Sequence, residues 1–492
     1  MSNIESNQKL LRSFSEHVNK NYLVFLNYND RLITRNIREA RIETRQATTN
    51  GLWCCLILPA VLMIYNFMYN VSQTYTVVAY MSLGLVFYCL LFIAFLTVSC
   101  LVLRDQVYGG CIAASLVSAL LLYTFVIKDL TISLAITLPA VYAFSTLTRL
   151  CVMKFPKTFT IGEAMLVAQS IVLFGVMTMA RMFDDDDNDD FGLVTALVNT
   201  ILSSVGIIVT ALTVMSHKQR NLEYLTKVVF GAGLFAVIML HWLQGMHCIM
   251  RTMLYVFGTT KRIQLFSFWL AVLLVSVSVI LIRTNLAVKA STVTRKSFHI
   301  LASTVFLSGI ICDQQLMVLA AGFGLGLLIL VEALRKSGID PISSWLESAF
   351  LIYSDEKDSG SFAMTPLYLY CGLACPLLLV PRHAGDHLEL LSGVLSIGVG
   401  DTAASWFGSR YGFNKWTGSS KTLEGTAFNV LAQMSTVYAL QIFDLMDAKN
   451  ALLRTAIAAS ISGLVEALTV QVDNLVLPIV TLLAFQLTWP IS

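Results

Sequence analysis

The sequence contains few charged residues for its length. Charged residues make up 13% of its 492 residues, about half the usual share in a soluble domain, whereas hydrophobic residues make up 56%. The mean hydropathy is correspondingly high, at +0.72. A chain of this composition cannot hide its apolar surface from water, so the sequence excludes a soluble globular protein and predicts a lipid bilayer as its solvent.

Other missing features exclude further classes of protein. The ten cysteines are scattered and form no CxxC motif, so packing is favoured over metal or disulfide chemistry. The net charge of +3 is small and the basic residues lie in short loops, which disfavours binding to nucleic acid. The apolar runs show no alternation, which disfavours a β-barrel. Neither a Walker loop nor a Rossmann fingerprint is present.

Long apolar runs recur from Gly51 to the C-terminus. Crossing a hydrocarbon core takes about 20 helical residues, and an α-helix satisfies its own backbone hydrogen bonds inside lipid. The sequence therefore predicts an all-α, polytopic helical membrane protein with about fifteen transmembrane helices. The predicted spans start near positions 52, 76, 108, 130, 162, 192, 227, 263, 298, 315, 365, 388, 424, 450 and 474.

Alternate loops differ in charge, which predicts the orientation of the chain. The positive-inside rule makes the basic side cytosolic. This side holds the N-terminal arm, Arg104, the 149–157 stretch, Lys218 with Arg220, the 283–296 stretch, Arg335 with Lys336, and the 410–421 loop. The opposite, lumenal side holds the 70–72 turn, the acidic run 184–190, Asp313, the 383–387 turn, and Asp444 with Asp447. Arg251, Lys261 and Arg262 are exceptions to the pattern.

We predict three regions. Residues 1–50 are polar and rich in arginine and form a cytosolic arm that is partly an amphipathic helix. Residues 51–290 form an N-terminal multispanning region whose loops are chemically plain. Residues 291–492 form a C-terminal membrane domain that is the candidate catalytic region, because its loops contain charged and glycine-rich elements, among them the 400–426 stretch.

The 400–426 stretch carries the most informative pattern. Asp401, Ser405, Gly408 and Gly412 follow spacings of four, three and four, so on one helix they share a face. A carboxylate at this depth is costly in lipid and is expected only beside a wet cavity or a partner. Asp401 is therefore a candidate functional residue, the alternative being a structural acid paired with Arg410 or Lys415.

The residues that follow suit a phosphate ligand. Glycines let a phosphate approach backbone N–H groups, Lys415 and Lys421 neutralise its charge, and the hydroxyl of Thr422 or Thr426 adds a donor. The combination suits a metal-bound triphosphate better than an apolar ligand.

The motif also resembles a known family. The run GDTAASWFGSRYG, followed by KWTGSSKTLEGT, is similar to the nucleotide-binding signature of the dolichol kinases and of the related phytol kinases and CTP-dependent diacylglycerol kinases. The likeness to phosphatidate cytidylyltransferases is weaker, because the 421–426 segment stands where those enzymes have an acid-rich metal motif. The resemblance covers roughly the last two hundred residues. It also rests on the runs RKSFH at 295–299, VEALRK at 331–336, DEKDSG at 355–360, TPLYLY at 365–370, and Glu466 with the 473–478 segment.

The resemblance implies an endoplasmic reticulum enzyme that uses CTP and a divalent metal, Mg²⁺ or Ca²⁺, to make dolichyl phosphate for glycosylation. It implies CTP and dolichol as ligands, and the sequence leaves homo-oligomerisation open. The implied CTP-binding residues are Gly400, Ser405, Gly408, Gly412, Lys415, Gly418, Lys421, Thr422, Glu424, Gly425 and Thr426.

Further candidates lie on predicted cytosolic loops of the same region. The catalytic candidates are Asp401, Asp355, Asp358, His299 and Asp473, and the metal candidates are Asp401 and Glu356. The candidate phosphate or substrate contacts are Arg295, Lys296, Glu332 and Arg335. The alternatives are a solvated loop for the 355–358 acids, a helix cap for His299, and a structural ion pair for Glu332 and Arg335, which are spaced i,i+3.

Two other functions remain open at this point. One is a kinase for another lipid alcohol, such as diacylglycerol, phytol or a shorter prenol. The other is a transporter, because intramembrane acids and broken helices also mark substrate pathways. The concentration of polar motifs on one side of the membrane, instead of near its midplane, disfavours a transporter.

The first prediction concerns topology. A cysteine placed at Ser419 should react with a membrane-impermeant maleimide in sealed microsomes, because the 410–421 loop is expected to face the cytosol. A cysteine at Asn188 should react only after permeabilisation, because the acidic loop is expected to be lumenal. The opposite labelling pattern would refute this orientation.

Overall fold

The computed structural model describes residues 24–181, 190–216, 219–285, 292–353, 362–381, 386–416, 419 and 421–491. Within these residues the chain is helical, and the only β pairing is an isolated bridge between Lys415 and Thr422. The predicted all-α class is confirmed. The elements are, in chain order, α1 (Val24–Glu39), α2 (Cys54–Met68), α3 (Gln73–Val98), α4 (Leu101–Arg104), α5 (Tyr108–Leu122), π1 (Tyr123–Ile127), α6 (Leu130–Met153), α7 (Ile161–Arg181), α8 (Asp190–Val214), α9 (Leu222–Gln244), α10 (Cys248–Phe257), α11 (Thr260–Asn285), α12 (Thr292–Cys312), α13 (Gln314–Ser337), α14 (Ile342–Tyr353), α15 (Met364–Leu379), α16 (His387–Leu390), π2 (Val394–Asp401), α17 (Thr402–Tyr411), α18 (Leu423–Ile442), α19 (Ala451–Leu468), α20 (Asp473–Leu487) and a 3₁₀ turn (Trp489–Ile491).

The helices match the predicted membrane spans closely. Each predicted start lies within a few residues of the start of a described helix. Among the described residues, nine helices are long and apolar enough to cross a membrane, and shorter apolar helices accompany them. The chain is therefore a polytopic helical membrane protein. The sequence analysis gave α14 no span, and α14 is a 12-residue helix.

The N-terminal arm contains the amphipathic helix that its sequence predicts. In α1, Ile33 and Ile37 are buried whereas Arg31, Arg35 and Arg38 are exposed. The amide of Asn36 donates hydrogen bonds to the carbonyl oxygens of Leu96 and Thr97. The helix is thereby joined to the end of α3.

The described residues form two compact units. The first contains the described chain up to Met177 together with Phe407–Phe428 and Gly463–Val472, and the second contains the remaining described residues. Both units therefore combine segments from distant parts of the sequence. The predicted functional boundary at 290/291 stays a prediction.

Two helices of the second unit bury little of their surface in protein. In the most apolar windows of α9 and α11, 17% and 11% of the residues are buried. Their exposed side chains are mostly large and apolar, such as Phe230, Leu234, Leu273 and Leu274. Lipid hydrocarbon can cover these surfaces, because the side chains are apolar and the backbone N–H and C=O groups are hydrogen-bonded within each helix.

The span predicted from position 388 is divided into three pieces. A short helix, α16, is followed by the π-helix π2 and then by α17. Side chains crowd two glycines of π2, since a Cβ atom at Gly398 would lie 1.9 Å from the Ser303 hydroxyl and one at Gly400 would lie 2.5 Å from the Asn429 amide oxygen. The sequence analysis predicted a span here and did not foresee its π-helical segment, because it took no account of this packing. Short π-helical segments are frequent at functional sites.

A buried arginine holds α16, at the start of this span. Arg454 is fully buried, and its guanidinium donates hydrogen bonds to Asp386 and, at 3.3 Å, to the hydroxyl of Thr488. The carboxylate of Glu389, which is also buried, lies 3.9 Å from the guanidinium. The arginine thus joins α19 to α16 and to the end of the chain.

The second prediction tests this anchor. Arg454→Met should reduce the free energy of unfolding by about 3–5 kcal/mol, because it removes the positive charge that faces two carboxylates. Lys227→Met is the matched control, since Lys227 forms a pair with Glu223 whose side chains are 70% and 74% exposed, and it should leave the melting temperature unchanged. Thermal unfolding in detergent micelles measures both variants, and equal melting temperatures would contradict the proposed anchor.

Candidate active site

Asp401 occupies the last position of π2 and is buried. The ammonium group of Lys296, on α12, donates a hydrogen bond to its Oδ2 atom. The hydroxyl of Ser405 lies 3.5 Å from its Oδ1 atom. The side chains of Lys296 and Asp401 are 19% and 6% exposed. The structure thus brings together two predicted site residues that are far apart in sequence, and it gives Asp401 a partner that the sequence analysis did not name.

His299 lies on the same face of α12 as Lys296, and it is buried. The alternative of a helix cap is wrong, because α12 begins at Thr292 and places His299 inside the helix. Ser303 follows one turn later, and its buried hydroxyl has no hydrogen-bond partner among the residues that the structure describes. At 1.5 Å per residue, the polar stripe from Lys296 to Ser303 extends about 10 Å along the helix axis. The side chain of Arg295 lies outside the described residues.

Gly400 has a packing role in the structure. It is buried against the side chains of Asn429 and Gln433, which are themselves buried on α18. The amide of Gln433 donates a 2.6 Å hydrogen bond to Asn429. Sequence reasoning missed this amide pair, although two amides spaced i,i+4 in an apolar helix are a detectable signal. A phosphate contact of Gly400 stays a prediction.

The segment after α17 folds back on itself within the first unit. Lys415 pairs with Thr422 in the β bridge, and the backbone N–H of Leu423 donates a 2.8 Å hydrogen bond to the carbonyl of Asn414. The glycines permit this close return: a Cβ atom at Gly408 would lie 3.0 Å from the Thr422 hydroxyl, and one at Gly412 would lie 2.6 Å from it. Gly412 follows the end of α17 at Tyr411, so the predicted helical face does not reach it.

The carboxylate of Glu424 holds the base of this loop. It accepts hydrogen bonds from the backbone N–H groups of Phe413 and Asn414, and a 2.7 Å bond from the Asn414 amide. The indole N–H of Trp416 donates a 3.0 Å hydrogen bond to the hydroxyl of Thr426. Glu424 and Thr426, both predicted to bind CTP, are therefore in contacts that shape the loop.

Lys421 is held by the end of α19. Its ammonium group donates a 2.8 Å hydrogen bond to the carbonyl oxygen of Glu466 and lies 3.4 Å from the carboxylate of the same residue. The Lys421 side chain remains 29% exposed, whereas that of Lys415 is on the surface. The loop thus presents two positively charged groups, one of them in a defined position. Gly425 is buried in the first turn of α18, and Gly418 lies outside the described residues.

Glu332 and Arg335 form the structural ion pair that was one of their two predicted roles. Two hydrogen bonds of 2.8 and 2.6 Å join them, and Arg335 also donates to Glu347. Glu332 accepts a 2.7 Å hydrogen bond from the backbone N–H of Ala363. The pair joins α13 to α14 and to the residue that precedes α15. A contact with substrate stays a prediction.

The remaining predicted residues are placed less fully. Asp355, Glu356 and Asp358 lie outside the described residues. Asp473 begins α20, as predicted. In the part of the chain that the structure describes, no group of three His, Cys, Asp or Glu side chains is arranged to hold a metal ion.

Comparison with known proteins identifies the relatives of this chain. A family model described as dolichol kinase matches residues 22–414. The dolichol kinase of Mus musculus is 33% identical over 352 residues, which cover 67% of this chain and 65% of the mouse protein. The dolichol kinase of Homo sapiens is 31% identical, with the same coverage, and that of Saccharomyces cerevisiae is 26% identical over 67% of this chain and 66% of the yeast protein.

The match spans slightly less than two thirds of the length of the mouse and human relatives. No solved structure matches the chain. The family model covers the N-terminal spans, Lys296, Asp401 and the π2 segment, and it ends at residue 414, before the 415–426 part of the motif. The chain therefore belongs to the dolichol kinase family.

Proposed function

We propose that this protein transfers the γ-phosphoryl group of CTP to the hydroxyl group of dolichol, forming dolichyl phosphate and CDP. Membership of the dolichol kinase family supports the reaction, and the CTP-dependence follows from the resemblance of the 400–426 motif to CTP-using kinases. The proposed site lies on the cytosolic side of the endoplasmic reticulum membrane, since the basic loops predict that orientation.

One observation carries the proposal: a carboxylate and an ammonium group, Asp401 and Lys296, are paired where the π-helix π2 passes into α17 within a predicted membrane span. Charges at such a position are costly and are expected where they serve a function. Phosphoryl transfer needs positioning and neutralisation of charge more than covalent chemistry by the protein. A partly buried lysine supplies positive charge, and a buried carboxylate supplies an oxygen ligand for a metal.

The residues present fit a divalent metal that is bound together with a nucleotide. Magnesium typically uses one or two protein carboxylates and takes its other ligands from water and substrate phosphates. Asp401 would hold the ion, with the Ser405 hydroxyl beside it, and Glu356 is the further metal ligand that the sequence analysis proposes. Bound there, the metal would neutralise oxygens of the triphosphate.

The resemblance assigns the two lysines of the folded-back loop to CTP, and each would neutralise charge on a bound triphosphate. Lys421 is held in place by Glu466, so it loses little side-chain freedom when it meets a phosphate. Lys415 is exposed and can move toward the ligand.

The acceptor alcohol would approach from the membrane. Its oxygen attacks the γ-phosphorus, the bond from that phosphorus to the bridging oxygen of CTP breaks, and CDP leaves with the electron pair. The hydroxyl proton must pass to a base, and Asp401, His299 and Asp473 are the described candidates. The polar stripe of α12 would accept the hydroxyl group, and the isoprenoid chain would stay in an apolar environment.

The third prediction concerns Asp401. Asp401→Asn should lower phosphoryl transfer by about a hundredfold or more, because it removes the buried charge that is proposed to hold the metal. Asp189→Asn is the control, since it removes one of several neighbouring aspartates from a predicted lumenal loop, and its activity should stay normal. Radiolabel transfer from γ-labelled CTP to dolichol measures activity, and size-exclusion chromatography measures folded yield. A folded Asp401→Asn protein with normal turnover would refute the site.

The fourth prediction concerns the two substrates. CTP should support turnover at concentrations where ATP supports at least about tenfold less, a difference of ~1.4 kcal/mol in transition-state binding. Dolichol should be preferred over diacylglycerol and a short prenol in the same micelles. Equal use of ATP would remove CTP-dependence from the proposal, whereas preference for diacylglycerol would identify a different lipid kinase. Label that enters the lipid from α-labelled CTP would indicate cytidylyl transfer instead.

A further inference from the structure

Residues from the N-terminal region hold the connection between α19 and α20. This connection, residues 469–472, precedes Asp473 in sequence and lies in the same compact unit as the 407–428 segment. The contacts described next all lie within that first unit. They involve three consecutive positions, Val470, Gln471 and Val472.

A buried ion pair holds the outer two positions. Arg45 and Glu163 are joined by hydrogen bonds of 2.6 and 3.1 Å, and their side chains are 7% and 0% exposed. Arg45 also donates a 3.1 Å hydrogen bond to the carbonyl oxygen of Val470. Glu163 accepts a 2.9 Å hydrogen bond from the backbone N–H of Val472. Both charged groups therefore use part of their hydrogen-bonding capacity on the connection.

The middle position is held through its side chain. The amide oxygen of Gln471 accepts a 2.8 Å hydrogen bond from the hydroxyl of Thr160, and its amide nitrogen donates to the carbonyl of Thr49 at 3.1 Å. Gly51, with a φ of +65°, lies directly against this amide, where a Cβ atom would be 2.5 Å away. A side chain at position 51 would be strained and would push Gln471 out of place.

The other end of the same stretch meets the candidate nucleotide loop. Glu466 lies two residues before the end of α19, and both its backbone carbonyl and its carboxylate face the ammonium group of Lys421. Four residues of helix and turn separate Glu466 from Gln471 in sequence, so a shift of the connection moves Glu466. The position of Lys421 thus depends on contacts made by residues 45–51 and 160–163.

We propose that Arg45 and Glu163 are positioning residues for the nucleotide donor: they fix the 466–472 stretch, and Glu466 in turn fixes Lys421 where it meets the triphosphate. The inference rests on the proposed function, because it assigns Lys421 to CTP. It gives the N-terminal region a part in the donor site, in addition to its membrane spans. Neither residue touches the nucleotide in this scheme.

A purely structural pair would give a different experimental result. Loss of a structural pair lowers stability and reduces the amount of active protein, without changing the affinity of the folded molecules for CTP. A positioning pair changes the affinity for CTP, and it does so only while Lys421 is present. Coupling between distant substitutions distinguishes the two cases.

The fifth prediction is therefore a double-mutant cycle in the full chain. Arg45→Lys keeps the charge but loses the forked geometry that contacts Glu163 and Val470 together. Equilibrium binding of labelled CTP with Mg²⁺ should weaken about tenfold in Arg45→Lys, and less than about twofold when the same change is made in a Lys421→Gln background. KM for dolichol should stay unchanged. Arg35→Lys is the matched control, because Arg35 lies on the same arm in a pair whose side chains are 72% and 60% exposed.

Gln471→Ala provides a second route to the same test. It releases the connection from Thr49 and Thr160 without leaving a buried charge, so it keeps the test open if Arg45→Lys fails to fold. It should weaken CTP binding in the same Lys421-dependent way. Normal CTP affinity in the folded variants, or an equal loss in both backgrounds, would overturn the inference. If the wild-type protein itself neither binds nor uses CTP, the proposed function fails, and that outcome is distinct from the first two.

Discussion

A charge buried inside a helical membrane protein must be matched by a partner of opposite sign. In this protein, the ion pairs that meet this requirement also fix the positions of helices. Within the second unit, Arg454 meets Asp386, Arg335 meets Glu332, and Lys296 meets Asp401. The Arg454–Asp386 and Lys296–Asp401 pairs join separate segments. Glu332 and Arg335 both lie on α13, and they reach other segments through the hydrogen bonds from Arg335 to Glu347 and from Ala363 to Glu332. Leaving one member of a pair alone would cost several kcal/mol, so these contacts fix the relative positions of segments as well as neutralising charge.

The pairs differ in what else surrounds them. Arg335 donates hydrogen bonds to Glu332 and Glu347 from all three of its guanidinium nitrogens, and the guanidinium lies 4.1 Å from the centre of the Phe350 ring. These contacts agree with a structural role. Lys296 and Asp401 pair beside the Ser405 hydroxyl, where π2 meets α17. An ion pair therefore has a structural role at Arg335, whereas an ion pair at Asp401 is part of a candidate reaction centre.

The positions of the helices could be predicted from the sequence because apolar runs of spanning length encode them locally. The ion-pair partners of the charged residues could not be predicted from the sequence. Lys296 and Asp401 are 105 positions apart, and Arg45 and Glu163 are 118 apart, so no spacing rule connects them. The π-helix was also missed, since it depends on the side chains that crowd Gly398 and Gly400 from other helices. Glycines of the 408–412 stretch were predicted to face a phosphate, and in the structure they admit Thr422. A sequence pattern shows where a glycine leaves room for a close contact, but only the folded structure shows which group makes that contact.

The sparse burial of α9 and α11 has a consequence for handling the protein outside its membrane. Helices with so little of their surface against protein take most of their packing contacts from acyl chains, and the hydrogen bond from Trp269 to Ser308 is one of the polar links that attach α11 to its neighbour. Extraction replaces those chains with a mobile micelle, which packs less densely. Delipidation will therefore loosen α9 and α11 before it disturbs the helices that buried ion pairs hold together. The choice of detergent then determines whether α9 and α11 keep their native packing.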